Sequence, residues 1–132
     1  MLSSAAAWPG LPNYTKNYIL LRMPATPKPI EFVGDSLDGL RGFPQGARRE
    51  AGYQLHCVQR GVDPYDWKPM PTIGAGVKEI RITDSAGAFR VIYIAKFADA
   101  IYVLRCFQKK TAKTAQRDID LAAARLKELV RK

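Results

Sequence analysis

Apolar positions recur with two different periods along this chain, and each period predicts its own kind of element. From Pro44 to Gly61, Ala47, Ala51, Leu55 and Val58 fall at i, i+4, i+8 and i+11, which is one stripe of a helix. Arg48, Arg49, Glu50 and Gln54 occupy its other face. Near the end, Ile119, Ala122, Ala123, Leu126 and Val130 give a second helical stripe. Thr114 is a candidate cap for it, and Lys127, Arg131 and Lys132 suit the negative end of its dipole. Between these helices the period drops to two. Ile80 and Ile82 alternate with Glu79, Arg81 and Thr83, and Asp84-Ser85-Ala86-Gly87 can turn the chain. The runs Phe89–Ala95 and Ile101–Gln108 are rich in β-branched and aromatic residues. Three strands with short connections predict an antiparallel meander.

Upstream, Pro29–Val33 predicts a short first strand ending at Gly34. Asp35 and Ser36 are N-cap types for a short helix over Leu37–Arg41. Gly42-Phe43-Pro44 breaks it, Pro44 suits the first turn of the next helix, and Gly61 is a C-cap candidate. The two helices form an αα-hairpin against the sheet. Three prolines in Asp63–Pro71 predict a structured loop. The expected order is β-α-α-β-β-β-α, an α+β domain over residues 28–132. Residues 1–27 stand apart, with Pro9, Pro12, Pro24 and Pro27 and no acidic residue. They lack the basic start of a secretory signal. They read as a mostly disordered extension, with a conceivable strand at Asn17–Leu21 and Met23 as an alternative start.

Composition narrows the function classes. Apolar residues make up 47% and charged residues 25%, which is globular rather than disordered. No apolar run is long enough to cross a bilayer, so a membrane role is not expected. Twenty-one Lys+Arg against twelve Asp+Glu give +9, a field that attracts polyanions. Cys57 and Cys106 are far apart in apolar segments and read as buried reduced thiols of a cytoplasmic protein. The single histidine, His56, cannot build a catalytic triad with its helical neighbour Cys57. One histidine and two scattered cysteines make no zinc site, and no cofactor is expected. Gly74-Ala75-Gly76 lacks the Lys-Ser/Thr of a phosphate loop and reads as a turn. The carboxylates look scattered.

What remains is a basic and aromatic set. Lys68 lies beside Trp67, Lys78 and Arg81 belong to the first meander strand, and Arg90 interrupts an apolar strand. Tyr93 is three residues on, so alternation puts it on the opposite face unless a bulge intervenes. Phe107-Gln108-Lys109-Lys110-Thr111 ends the last strand, with Lys113 and Arg117 beyond. These types suit RNA cleavage by the neighbouring 2′-hydroxyl, because the RNA brings its own nucleophile. The protein then orients sugar and phosphate and stabilises the pentavalent transition state. Arginine does this through its fixed fork of donors. A lysine or tyrosine moves protons if its pKa falls toward neutrality, which clustered cations promote for lysine. The blander alternatives are a structural ion pair for Arg90, a solvated loop for Lys109–Thr114, and core roles for Trp67, Phe89, Tyr102 and Phe107.

Several segments, in order, resemble the HigB-like, phage-derived branch of the RelE/ParE toxin superfamily. They are Lys28–Leu37, Ala47–Leu55, Asp66–Pro71, Val77–Ile82, Phe89–Tyr93 and Cys106–Thr111. The resemblance covers residues 28–132. It implies a small twisted antiparallel sheet packed by helices. It implies a type II toxin cleaving mRNA, usually at the ribosome, and neutralised by a cognate antitoxin, often of helix-turn-helix type. Its basic set maps onto Arg90 and Lys110 as catalytic groups, with Tyr93 as a weaker third. Lys68, Arg81, Lys109, Lys113 and Phe107 are the expected RNA contacts. This chain has no histidine near its C-terminus, where some members use one. Rival expectations are a ParE-like inhibitor of DNA gyrase and a phage-derived module that binds without cutting.

Overall fold

A computed structural model of the chain describes residues 27–131. The expectations for the first 26 residues (disorder, a strand at 17–21, a start at Met23) fall outside the described residues. β1 (Ile30–Phe32) leads into α1 (Ser36–Arg41) and α2 (Gln45–Gln59). Then come β2 (Trp67–Pro69), β3 (Val77–Asp84), β4 (Gly87–Ile94), β5 (Ile101–Lys109) and α3 (Gln116–Val130). The five strands form one sheet in the order β1-β5-β4-β3-β2.

Two features depart from the expected wholly antiparallel, four-stranded arrangement. β1 pairs with β5 in parallel, Ile30 opposite Ile101. The αα-hairpin carries the chain from one edge of the sheet to the other, and the meander returns to lie beside the starting strand. A parallel neighbour needs such a long connection. The second feature is β2, an edge strand inside the proline-rich segment. Arg81 N–H donates to Asp66 O at 2.8 Å and Met70 N–H to Val77 O at 2.8 Å. In that phase the missing N–H of Pro69 falls on the outer edge, where no ladder bond is lost.

Both faces of the central strands are covered. On one, Ala47, Ala51, Leu55 and Val58 of α2 pack with Leu40 and Phe43 over Ile80, Ile82, Phe89, Val91 and Tyr93. On the other, Ile119, Ala122, Ala123 and Leu126 of α3 cover Val77, Ile92, Ile94, Leu104 and Phe107. Burial on both sides explains why β4 reads as a nearly continuous apolar run rather than an alternating one. α1 lies so close to β5 that a Cβ at Gly39 would overlap the Cys106 carbonyl. α2 ends as expected. Gly61 has φ +83°, and Gly61 and Val62 N–H reach Val58 and Cys57 carbonyls, the paired bonds of a Schellman motif.

The expected caps are absent. α3 begins after Ala115 with no side-chain cap, and Asp35 does not cap α1. Thr114 and Asp35 are used elsewhere: Thr114 bonds Glu79, and Asp35 pairs with Arg125. A bulge in β5 places Arg105 opposite Ile92 but Val103 opposite Tyr93. Leu104 and Arg105 therefore both face α3, where Arg105 Nε donates to Asp118 Oδ1 at 3.0 Å. Cys57 and Cys106 are buried and not joined in a disulfide, and burial pushes Cys106 up to about 12.

Candidate active site

The sheet face that carries α3 is not covered along its whole length. Register fixes what lies past the helix. Lys68 pairs with Glu79, and Glu79 with Ile92. Arg81 pairs with Arg90, and Arg90 with Phe107. Ala88 pairs with Lys109. Residues that pair across strands share a face. Lys68, Glu79, Arg81, Arg90 and Lys109 thus stand together beside the start of α3.

Glu79 is the centre of the group, and nothing in its local pattern singled it out. Its carboxylate is fully buried. One oxygen accepts a bond from Thr114 Oγ1 at 2.8 Å. The other lies 3.7 Å from Arg90 Nε and 3.9 Å from Lys68 Nζ. Neither that oxygen nor Arg90 Nε has a hydrogen-bond partner. Alternation did put Glu79 on the side of Arg81 and Thr83. It could not show that the segment before α3 would close over that side.

Arg90 is 8% exposed, with Nη1 donating to Phe89 O at 2.9 Å. Burial, and then the Arg81 charge, lower its pKa, while Glu79 and Asp66 act to raise it. Lys109 is half-buried at the end of β5. Burial is the largest cause lowering its pKa, followed by the charge of Arg90, with Lys68 and Arg81 adding to it and Glu79 opposing. Arg81 is held to Asp66, both Nε and Nη2 lying 3.1 Å from Oδ1. The cluster is therefore a buried carboxylate fixing Arg90 and Lys68 beside a lysine with a weakened hold on its proton.

The other expected residues do not join it. Tyr93 lies on the opposite face, 1% exposed in the α2 core, and burial raises its pKa. It is placed neither to reach a substrate on the α3 face nor to release a proton near neutrality. Phe107 shares the row of Arg90, but it is buried in the α3 core, with the Arg105 guanidinium 5.8 Å from its ring. Its face is not open for base stacking. Lys110 and Lys113 are exposed on the loop between β5 and α3. Lys78 is on the α2 face, paired with Asp63 at 2.9 Å and 4.4 Å from the centre of the Trp67 ring. Among the described residues no group of three or more His, Cys, Asp or Glu side chains is placed to hold a metal ion. No helix among them is long and apolar enough to cross a membrane.

A family model described as "Phage derived protein Gp49-like (DUF891)" matches residues 38–127, from within α1 to within α3 and including every member of the cluster. No curated protein matches the chain.

Proposed function

This chain belongs to the phage-derived Gp49-like family, RelE-like toxins of toxin–antitoxin systems, and from that premise we propose that it is an mRNA endoribonuclease. An antitoxin partner follows from the family. The finer reading is a HigB-like cytoplasmic toxin that cuts without a metal, acts at the ribosome, and is held in check by a helix-turn-helix antitoxin.

The observation that carries this reading is the cluster of Arg90, Lys68 and Lys109 around buried Glu79 on one open stretch of sheet. In the proposed reaction the 2′-oxygen attacks the adjacent phosphorus and the bond to the 5′-oxygen breaks. The products are a 2′,3′-cyclic phosphate and a 5′-hydroxyl, the departing 5′-oxygen taking its proton from solvent water. Arg90 is held by Glu79, so its fork is in place before charge builds on the phosphoryl oxygens. Lys109 takes the 2′-hydroxyl proton in its neutral form. Lys68 and Arg81 hold flanking phosphates, and Lys110 and Lys113 extend that grip along the loop. Tyr93 and Phe107 have no part in it.

The test is cleavage of a single-stranded RNA and of the same RNA with a 2′-deoxy sugar at the cut position, alongside induced expression. Cutting that the 2′-deoxy sugar blocks, together with truncated mRNA and growth arrest, is expected. Arg90→Ala and Lys109→Ala should each lose at least about 100-fold in rate while remaining folded. Growth arrest with intact mRNA and DNA-damage signalling would instead mark a gyrase inhibitor. No growth arrest at all would mark a binding module.

A further inference from the structure

A second basic surface lies on the far side of the sheet from the Arg90 cluster. The outward ridge of α2 runs through Gln45, Arg49, Gly52, His56 and Arg60, three or four residues apart. Arg48 flanks it, and its Nη1 donates to the carbonyl of Arg41 at 3.3 Å. Arg41, Arg48 and Arg49 are exposed, and among the described residues none of the three is in an ion pair. Glu50 is turned toward Gln54, and it lines the groove that holds Asp66 and Asp84 beside β3.

Two features of this ridge work against the stability of its own helix. Arg48 and Arg49 stand in the first half of α2, whose first turn has no acidic residue and whose N-terminus has no side-chain cap. Unpaired N–H groups make that end positive, which the Asp84 carboxylate beside Gly46 offsets only in part, so added cations still work against it. Gly52 sits mid-helix and exposed, with nothing within 4 Å of where a Cβ would stand. No packing demands glycine there, and alanine would favour the helix. Together they leave a flat spot bordered by arginines.

We propose that this ridge of α2 docks the phosphate backbone of double-helical RNA, at a site separate from the one that cuts. The ridge itself exposes no large apolar side chain; exposed Tyr65 stands on the Glu50/Gln54 flank of α2, its N–H bonded to Gln54 Oε1, and Val130 is at the end of α3. A protein interface draws on an apolar centre, which is missing here. A single-strand site draws on several exposed aromatic platforms; the ridge itself carries none, and Tyr65 is a single ring on the other flank of the helix. A duplex backbone needs neither. It is gripped by arginine forks on phosphates and read through shape. Gly52 lets that backbone come close to the helix. Arg49 to Arg60 spans about 16 Å of helix, enough to follow several phosphates. The choice of RNA over DNA rests on the cutting reading above; the duplex site itself does not.

The experiment measures binding of the full chain to a labelled blunt RNA duplex of about 16 base pairs, and to the matching DNA duplex. Salt is varied between about 50 and 200 mM. Arg48→Gln/Arg49→Gln should weaken RNA-duplex binding about tenfold at the higher salt and lower the slope of log affinity against log salt by about 2. Its cleavage of a short single strand should be unchanged. Gly52→Gln, which keeps every arginine, should also weaken duplex binding. Arg90→Ala should bind the duplex as the unaltered chain does, so a failed cutting mechanism leaves this site intact. Duplex affinity untouched by either α2 variant overturns the proposal. So does loss of cognate antitoxin binding in Arg48→Gln/Arg49→Gln with duplex affinity retained, which would make the ridge a protein surface. Tighter binding to the DNA duplex overturns the choice of RNA.

Discussion

Lys109 shows how a residue's chemistry depends on what the fold puts next to it. By sequence it is one of two adjacent lysines ending a strand, and nothing separates it from Lys110. In the structure its ammonium is partly desolvated and faces Arg90, Lys68 and Arg81, and both effects disfavour the charged form. Its neutral amine therefore appears at lower pH than that of an ordinary lysine. If Lys109 is the base, cleavage rises with pH through that lowered pKa and levels off above it. Lys109→Arg, which stays charged, should flatten that limb and leave a low residual rate. An unchanged profile in Lys109→Arg would remove Lys109 from the proton transfer. Arg90 was readable in part: a charge inside an apolar strand needed a partner or a ligand. That its partner is Glu79 depended on strand register, which alternation alone does not supply.

Among the elements, the helices and the three long strands were legible because their periods are long enough to be distinct. α2 and β3–β5 fall where the apolar pattern put them. β2 was not legible, because three residues among prolines carry no period and form a strand through pairing with β3 alone. The caps at Thr114 and Asp35 failed for a related reason. Both side chains have better-placed tertiary partners than a helix end. Two glycines give the element scale a direct contrast, measurable by denaturant unfolding. Gly39→Ala forces a methyl into the β5 carbonyl of Cys106 and should cost about 1–3 kcal/mol. Gly52→Ala meets open space on α2 and should add about 1 kcal/mol of stability. A loss at Gly52 equal to that at Gly39 would contradict the placement of α2's outer ridge.

For the whole molecule, Glu79 ties parts together that are distant in sequence. It sits on β3, faces Lys68 of β2 and Arg90 of β4, and accepts from Thr114 just before α3. Removing it leaves Arg90 without its counter-charge and Thr114 without its acceptor, in a field of cations. Glu79→Ala should lower unfolding stability by about 3 kcal/mol and release the segment before α3, seen as faster amide exchange at residues 110–115. Stability equal to the unaltered chain would show that the carboxylate does not organise the cluster. Among the described residues, cations stand on both sides of the sheet, with the Arg90 cluster on the α3 side and the arginines of α2 on the other.

The amino-acid sequence alone determined the element types, the order of the long strands and helices, and the existence of a basic surplus suited to a polyanion. Periodicity, turn chemistry and net charge are local or additive, so they can be read without coordinates. Which cations share a face, that Tyr93 is turned away from them, that Phe107 is closed off and that Glu79 lies at their centre were decided by the tertiary structure. Cross-strand register, the β5 bulge and the path of the chain into α3 set those neighbours, and each arises from contacts between residues far apart in the chain.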